Sequence, residues 1–304
     1  MIDWKELSNE MRQAMPDLKI LDEEPLARHT SFRIGGPAAI IAQPATVEAL
    51  SELLKFLAAR GISPRILGAG TNVLAPDEGL REAVICTKDA LTGLRDLGDG
   101  KIEAFAGETL SKTAVFARNL SLTGLEFAHG IPGTVGGGIY MNAGAYGGEI
   151  KDVLTAVTFL DENLHLQTLP VQELQLGYRT SIFERCSWCI LEAEFTLHPG
   201  DAQEIHTAMQ EYMRRRKEKQ PLEYPSAGST FKRPVGQFAG KLIEDCGLRG
   251  FRVGGAAISE KHCGFVVNLG NATCADVVSL TEQVRQIVLE KTGCTLEREI
   301  RVVE

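Results

Sequence analysis

Apolar residues recur with the spacing of one helix face in several parts of the chain. Residues 47–60 carry four leucines in this pattern and follow Thr46, a residue type that caps helices. A last helix is predicted to begin after Thr273, which forms a capping-box pattern with Asp276, and to end at Gly293. Similar patterns predict helices over residues 4–15, 110–120 and 201–220, and one that ends at residue 247.

Short apolar runs between these helices predict β-strands. Single strands are expected at residues 64–67, 101–106 and 296–303. Residues 157–160 and 164–168 flank a short polar turn, which predicts a hairpin. Strands and helices are mixed along the chain, which favours an α+β fold. The main domain boundary is expected near residues 198–201, where the strand-rich half gives way to a helix.

Composition narrows the class of protein. The 304 residues suffice for two or three packed lobes, and no segment approaches the roughly 18 uncharged apolar residues of a membrane span. The net charge is −8 without an isolated basic run, so we expect no nucleic acid and no membrane insertion. No obligatory protein partner is evident from the sequence. The N-terminus lacks the apolar core of a secretory signal, and the seven scattered cysteines predict free thiols in a reducing cytoplasm.

Two features resemble metal or redox sites and need separate treatment. Cys186 and Cys189 have the spacing of a redox pair or half of a zinc ribbon. A zinc ribbon needs a second pair, which the sequence lacks, and a strand pattern follows where a thioredoxin-type pair opens a helix. None of the six histidines has metal-ligand spacing, so no metal is predicted.

Two glycine-rich stretches are the first candidates for chemistry. The GAGTN turn (residues 68–72) follows a predicted strand but has Val73 where a dinucleotide fingerprint requires glycine. It is therefore either an anion-binding turn or a plain tight turn. The glycine-rich segment (residues 130–148) has eight glycines, with apolar and amide residues between them. This composition favours a segment that lies against a flat neutral ring system and pyrophosphate, with Asn142 as an amide partner.

The chain resembles the UDP-N-acetylenolpyruvoylglucosamine reductase family in motifs that run in family order from about residue 20 to the end. The matching stretches are HTSFRIGG, LGAGTNVL, GLEFAHGIPGTVGGGIYMNAGAYGGEI, GYRTSIF, PSAGSTFKRP, FAGKLIEDCGLRG and LEREIRVV. After an N-terminal helix (residues 1–20), the resemblance implies an FAD-binding domain of the vanillyl-alcohol-oxidase and p-cresol-methylhydroxylase type over residues 21–198. This domain has two lobes that meet near residues 75–80. An α+β substrate-binding domain over residues 199–304 follows, with its last strand returning toward the flavin. The C-terminal part resembles the shorter subclass without an inserted tyrosine loop.

The resemblance also implies the cofactors and the residues around them. FAD is expected to bind non-covalently, and NADPH is the implied hydride donor. The implied cofactor-binding residues are Arg33, Gly35, Gly68, Ala69, Gly70, Thr71, Asn72, Gly130, Pro132, Gly133, Thr134, Gly136, Gly137, Asn142, Ala143 and Gly144. The implied substrate-binding residues are Tyr178, Lys217, Arg233 and Lys241.

The implied reaction reduces UDP-N-acetylglucosamine enolpyruvate to UDP-N-acetylmuramate for peptidoglycan synthesis. A hydride that arrives at the terminal enolpyruvyl carbon leaves negative charge on the adjacent carbon and the carboxylate, so the site needs a cation and an acid. By resemblance, Arg179 is the catalytic arginine, Ser229 the proton donor and Glu299 the catalytic carboxylate. Without the resemblance, these would be interpreted as a surface arginine, a turn serine and a solvent-facing strand glutamate.

Two departures from the family pattern and two alternative functions stay open. His129 stands where a small residue is expected, which makes it the residue to check for a covalent flavin link, and Ala257 stands where an amide side chain is expected. Another FAD-dependent oxidase or dehydrogenase of the same fold would share the glycine-rich stretches. A flavin-carrying electron-transfer or structural subunit would bind FAD but lack a nucleotide-sugar pocket.

Overall fold

The computed structural model of the protein describes residues 2–303. Its helices are α1 (Trp4–Ala14), α2 (Val47–Ala58), α3 (Leu110–Asn119), α4 (Val135–Tyr140), α5 (Ala202–Lys219), α6 (Ala239–Asp245) and α7 (Cys274–Thr292). Its strands are β1 (Lys19–Pro25), β2 (Pro37–Gln43), β3 (Arg65–Leu67), β4 (Val73–Leu74), β5 (Leu80–Cys86), β6 (Leu94–Gly98), β7 (Lys101–Phe105), β8 (Leu122–Thr123), β9 (Gly144–Ala145), β10 (Gly148–Glu149), β11 (Leu154–Leu160), β12 (Leu166–Pro170), β13 (Cys189–Thr196), β14 (His198–Pro199), β15 (Arg252–Val253), β16 (Ala256–Ile258), β17 (Val266–Asn268) and β18 (Arg301–Val302). Short 3-10 helices occupy Leu26–Arg28, Glu126–Gly130, Ile150–Asp152, Val171–Glu173 and Ile182–Glu184.

Local capping decides where the predicted helices begin and end. The Thr46 side chain accepts a hydrogen bond from the Ala49 N–H (3.1 Å) at the start of α2. Thr273 and Asp276 form the predicted capping box of α7, and Gly293 ends that helix in a left-handed conformation with φ 72°. The predicted positions of α2 and α7 are confirmed. They could be predicted because each cap involves residues close together in sequence.

The described residues divide into two compact units. Unit 1 comprises residues 2–22, 40–69 and 82–215, and unit 2 comprises residues 23–39, 70–81 and 216–303. The boundary expected near residues 198–201 lies inside unit 1, and two short N-terminal segments belong to unit 2. Long-range hydrogen bonds hold those segments within unit 2, as when the Asn268 side chain donates to the Phe32 carbonyl (3.1 Å). A change of composition along the sequence cannot reveal such pairings.

Unit 1 is built on a five-stranded antiparallel sheet with the strand order β12-β11-β13-β7-β6. The predicted hairpin is present as β11 and β12, with Val157 opposite Leu169. A further sheet, most of whose residues belong to unit 1, has the order β1-β2-β5-β3, in which β3 and β5 run parallel. The core of unit 1 is a cluster of buried apolar side chains from β2, β5, β7, β11 and β13 and from helices α1 to α5.

Unit 2 has a core of its own around the three-stranded antiparallel sheet β15-β16-β17, with buried side chains from α6 and α7. The expected strand over residues 296–303 is regular only at Arg301–Val302, and this expectation is corrected to that extent. Arg298 first forms an antiparallel bridge with Phe231, after which β18 pairs in parallel with β4. Because the segment changes its pairing partner, it does not form one continuous β-ladder over residues 296–303. Among residues 2–303, no helix is both long and apolar enough to span a membrane.

Candidate functional site

The GAGTN turn and the glycine-rich segment touch each other within unit 1. A Cβ atom at Gly68 would lie 2.4 Å from the Thr134 hydroxyl oxygen, so only glycine allows this approach. Thr134 is buried and caps α4 by accepting a hydrogen bond from the Gly137 N–H (3.3 Å). Gly68, the first residue of the GAGTN turn, therefore packs on Thr134, the residue that caps α4 in the glycine-rich segment. The remaining part of the turn, from Gly70 onward, belongs to unit 2.

Three consecutive glycines in α4 face three different surroundings. A Cβ at Gly136 would lie 3.0 Å from the Ala106 Cβ, and one at Gly138 would lie 3.1 Å from a Leu110 methyl carbon. These two glycines are explained by close packing inside unit 1. At Gly137, by contrast, the Thr134 hydroxyl oxygen at 3.4 Å is the sole neighbour that a Cβ would meet within 4 Å.

Gly137 therefore needs a reason other than packing within the described residues. A helical glycine costs about 1 kcal/mol relative to alanine, because the unfolded chain loses more freedom. Gly137 is exposed, so the absence of a side chain leaves its main chain accessible from outside the helix. A flat ring system needs such close access to main chain, so the segment fits the isoalloxazine or pyrophosphate part of FAD.

The cofactor residues implied for unit 2 include three strained or closely packed positions. Arg33 has φ 55°, a conformation that is uncommon for a residue with a side chain. Gly35 has φ 128°, and a Cβ there would lie 2.6 Å from the Ala75 Cβ. Gly70 has φ 59°, and its Cβ would lie 2.2 Å from the His29 carbonyl oxygen. At Gly35 and Gly70 the requirement for glycine comes from the protein itself.

Asn142 is fully buried and its carboxamide is used by protein groups. The Nδ2 atom donates to Glu149 Oε2 (2.8 Å) and to the Gly177 carbonyl (2.9 Å). The Oδ1 atom accepts from the Lys151 N–H (3.0 Å). Both N–H bonds of the amide thus have protein acceptors, which leaves neither for the cofactor contact expected from sequence.

Arg179 lies in a tight turn that the sequence pattern did not predict. The turn spans residues 177–180, with the Gly177 N–H donating to the Thr180 carbonyl (3.1 Å). Arg179 has φ 57° at the third position, where a type II turn favours glycine or asparagine. A side chain in this region costs roughly 1–2 kcal/mol, and such strain concentrates at functional sites. Its guanidinium donates to the Gly144 carbonyl (3.2 Å) and lies 5.0 Å from the centroid of the half-exposed Tyr178 ring.

Ser229 and Glu299 come together within unit 2 although 70 residues separate them. Ser229 forms an antiparallel bridge with Phe265, and the next residue, Thr230, accepts from the Glu299 N–H through its carbonyl (2.8 Å). The Asn72 side chain donates to the Glu299 carbonyl (3.1 Å). The implied acid, the implied carboxylate and the last residue of the GAGTN turn therefore belong to one hydrogen-bonded neighbourhood.

Thr230 joins this neighbourhood and was missed from sequence. It is almost fully buried, its N–H donates to the Gly264 carbonyl (2.9 Å), and its hydroxyl accepts from the Val266 N–H (2.8 Å). No motif distinguishes this threonine from any turn threonine, because its partners lie more than thirty residues away. In unit 1, Tyr146 of the glycine-rich segment stacks on Tyr212 with ring centroids 4.5 Å apart.

The three cationic residues implied for substrate binding make different contacts in the structure. Lys217 is exposed in the last turn of α5, and its carbonyl accepts from Lys261 Nζ (2.8 Å). The Arg233 guanidinium lies 4.5 Å from the centroid of the Phe238 ring. A hydrogen bond to Asp245 raises the pKa of Lys241, which keeps that side chain protonated. These three lie in unit 2, whereas Tyr178 lies in unit 1.

The two departures from the family pattern have clear structural surroundings. His129 lies in the last turn of a 3-10 helix with its Nδ1 atom 3.2 Å from the Ser111 hydroxyl, and burial lowers the pKa of its imidazole. Ala257 is buried in the central strand β16, opposite Arg252 and Val267.

The cysteines form no disulfide among the residues that the structure describes. All seven cysteines are free, and burial raises the pKa of Cys189 to about 12. Within residues 2–303, no group of three histidine, cysteine, aspartate or glutamate side chains has the geometry to hold a metal ion.

Comparisons with known proteins cover both units. Residues 38–169 match the model of an FAD binding domain, and residues 220–303 match the C-terminal domain of UDP-N-acetylenolpyruvoylglucosamine reductase. The reductase of that name from Caldanaerobacter subterraneus subsp. tengcongensis is 48% identical, over 98% of this chain and 98% of its own. The one from Lachnoclostridium phytofermentans is 45% identical over 97% and 96%. The crystal structure of UDP-N-acetylenolpyruvylglucosamine reductase from Thermus caldophilus superimposes with a TM-score of 0.77 at 34% identity, covering 94% of this chain and 99% of that one.

Proposed function

Because the chain belongs to the UDP-N-acetylenolpyruvoylglucosamine reductase family, as its sequence motifs predict, we propose that it reduces UDP-N-acetylglucosamine enolpyruvate to UDP-N-acetylmuramate. The chain contains an FAD-binding domain and is an FAD-containing oxidoreductase of peptidoglycan precursor synthesis. NADPH is the reductant and the cytoplasm is the site of the reaction in this proposal. The neighbourhood of Ser229 and Glu299, where the Glu299 N–H bonds to the Thr230 carbonyl, is the observation that carries it.

FAD, when bound, supplies the hydride chemistry of the reaction. The residues proposed to hold it lie along the GAGTN turn and the glycine-rich segment, where Gly137 leaves the main chain open to close approach. We assign no covalent link to the flavin. His129, the residue that invited this question, has its Nδ1 atom within hydrogen-bonding distance of the Ser111 hydroxyl.

Arg179 has the chemistry to bind the enolpyruvyl carboxylate. Its guanidinium is planar and permanently charged, so it can hold a carboxylate through two parallel hydrogen bonds. As the terminal carbon of the substrate gains a hydride, negative charge spreads onto this carboxylate. A fixed cation at that position lowers the energy of the transition state more than that of the ground state.

Ser229 is the proposed proton donor to the carbon next to the carboxylate. A serine hydroxyl is a weak acid, so the alkoxide that forms needs stabilisation by neighbouring charge or hydrogen bonds. Lys232 is three residues away but forms an ion pair with Glu297. Glu299 is the proposed catalytic carboxylate, placed beside the Ser229 segment by the Thr230 carbonyl.

The proposed reaction is tested by identifying its product. The FAD-loaded protein is incubated with NADPH and UDP-N-acetylglucosamine enolpyruvate, and the nucleotide is analysed by mass spectrometry. The proposal predicts a product heavier than the substrate by two hydrogens, with loss of the enolpyruvyl double bond. UDP-N-acetylglucosamine is the matched control and should return unchanged. Recovery of unreacted enolpyruvyl nucleotide from protein that oxidises NADPH would contradict the proposed function.

A further inference from the structure

We propose that Asn142 is a positioning residue for Arg179, acting through the Gly177 carbonyl. The side chain of Asn142 would hold the turn at residues 177–180 and so direct the Arg179 guanidinium. Since Arg179 matters only if the substrate carries the enolpyruvyl carboxylate, this inference rests on the proposed function. It gives the buried carboxamide of Asn142 a role other than contact with the cofactor.

The orientation of the Asn142 carboxamide is fixed by three partners. Two acceptors, Glu149 Oε2 and the Gly177 carbonyl, lie 2.8 and 2.9 Å from Nδ2. A donor, the Lys151 N–H, lies 3.0 Å from Oδ1. A flipped amide would face donors with its N–H groups and acceptors with its oxygen, so this arrangement permits one orientation.

The turn around Arg179 depends on this outside hydrogen bond. Within the turn, the Thr180 N–H lies 3.5 Å from the Gly177 carbonyl, at the limit of a hydrogen bond. The same carbonyl receives the shorter bond from Asn142. Arg179 also occupies a left-handed conformation that its residue type disfavours. The other main-chain bond of the turn, from the Gly177 N–H to the Thr180 carbonyl, is of normal length (3.1 Å). The Asn142 bond therefore supports the side of the turn where the main-chain bond is long.

The guanidinium end of Arg179 is tied to the same segment as its main chain. Arg179 Nη2 donates to the Gly144 carbonyl (3.2 Å), and Gly144 pairs with Glu149 in the small β9–β10 hairpin. Glu149 in turn accepts from Asn142. Residues 142–149 therefore hold Arg179 at both ends, by its turn and by its charged group.

The inference separates two steps that can be measured independently. Loss of the Asn142 side chain should leave the flavin bound and reducible by NADPH, because neither N–H of that side chain is directed at the cofactor. It should slow the transfer from reduced flavin to the enolpyruvyl substrate, because that transfer needs the placed guanidinium. A misplacement of about 1 Å can reduce such a step by roughly a hundredfold.

Asn142→Gly is the cleanest variant for this test. Asn142 has φ 41°, a conformation that glycine adopts without strain, so the change removes the side chain and introduces no backbone strain. Asp99→Gly is the matched control, because Asp99 is exposed, has φ 50° and lies in the turn between β6 and β7. The control should match the wild type in every measurement.

Three quantities are measured for each protein: FAD per chain with its absorption spectrum, the rate of flavin reduction by NADPH, and the anaerobic rate of reoxidation by the enolpyruvyl nucleotide. For Asn142→Gly we expect the first two within about twofold of wild type and the third slowed roughly tenfold or more. Wild-type reoxidation by this variant, or loss of its FAD, would overturn the inference. Failure of the wild type itself to reoxidise would instead refute the proposed function.

A double-mutant cycle tests whether Asn142 acts through Arg179. In an Arg179→Ala background, adding Asn142→Gly should slow reoxidation by less than about threefold, because the group being positioned is already absent. Two effects that simply multiply would overturn the inference.

A second variant covers the case in which Asn142→Gly does not fold. Asn142→Asp combined with Glu149→Gln keeps a hydrogen bond between positions 142 and 149 with its direction reversed, but leaves the Gly177 carbonyl without its donor. We expect this double variant to reoxidise as slowly as Asn142→Gly. Wild-type reoxidation would show that the Gly177 bond is dispensable and would overturn the inference.

Discussion

Arg179 and the pair formed by Ser229 and Glu299 are held in place by different kinds of interaction. Arg179 lies in a strained turn of unit 1 that is fixed by the Asn142 side chain. Ser229 and Glu299 lie on extended segments of unit 2 that are fixed by main-chain hydrogen bonds on either side of Thr230. Main-chain pairing survives most changes of neighbouring side chains, whereas a turn whose geometry relies partly on one side-chain amide is more sensitive to loss of that side chain. The two neighbourhoods should therefore differ in their sensitivity to substitution of their supporting residues.

The largest effect is expected from Ser229→Ala. Removal of the proposed acid should slow anaerobic reoxidation of the flavin by the enolpyruvyl nucleotide by about 10²–10⁴-fold, with reduction by NADPH intact. Stopped-flow absorbance at the flavin band separates the two steps. Ser226→Ala, three residues earlier, is the control and should behave like the wild type. A variant slowed equally in both steps would assign Ser229 to flavin binding or structure instead.

Glu299→Gln should act on the same step, with a loss of roughly 10²-fold or more, because the amide keeps the shape of the carboxylate but not its charge. Glu297→Gln is a matched control two residues away. Glu297 is 71% exposed in its side chain and pairs with Lys232. Near-normal turnover of Glu299→Gln would remove Glu299 from the catalytic residues and leave Ser229 without its proposed partner.

Thr230→Val tests the difference between the two neighbourhoods, because Thr230 links the Ser229 segment to Glu299 in unit 2. The main-chain bonds to Gly264 and Glu299 remain, so reoxidation should change by less than about threefold, in contrast to Asn142→Gly. The buried Val266 N–H loses its acceptor, which should lower the free energy of unfolding by about 1–3 kcal/mol in urea titrations. Thr230→Ser keeps the hydroxyl and should recover most of that stability. A rate loss as large as that of Asn142→Gly would abolish the proposed difference between the neighbourhoods.

Asp276→Asn gives a baseline outside both neighbourhoods. Hydrogen bonds from the Thr273 and Gly255 N–H groups lower the pKa of Asp276 in the folded protein. A carboxylate with a depressed folded-state pKa stabilises the fold above its unfolded pKa of about 3.9, and this contribution is lost as the pH falls through the folded pKa. The stability difference between wild type and variant should therefore shrink below about pH 4, with both flavin steps unchanged at neutral pH. A constant difference across this range would contradict the assignment.

The sequence predicted best those features that depend on neighbouring residues. The helix α2 and the capping box of α7 were found from residues at most a few positions apart, and the hairpin of β11 and β12 from a short polar turn. The glycine-rich segment was recognised from composition, but the helix α4 within it was not, because glycine disfavours helices. Packing against Ala106 and Leu110 accounts for two of its three glycines.

Features that depend on distant residues could not be predicted from local pattern. The turn at Arg179 has neither glycine nor asparagine at its left-handed position, so the motif does not predict a turn there. The composition of the glycine-rich segment predicts a cofactor contact for Asn142. Its actual partner, the Gly177 carbonyl, could not be foreseen because it lies 35 residues away in sequence. Arg179, Ser229 and Glu299 were found by family resemblance alone, since each is an ordinary residue in its own segment.

Anaerobic reoxidation of the reduced wild-type flavin tests the central claim most directly. The FAD-loaded protein is reduced with one equivalent of NADPH, freed of nucleotide, and mixed without oxygen with UDP-N-acetylglucosamine enolpyruvate. The account predicts full return of the oxidised flavin spectrum, with one UDP-N-acetylmuramate formed per flavin. A flavin that stays reduced with this substrate but reoxidises on admission of oxygen would contradict the account.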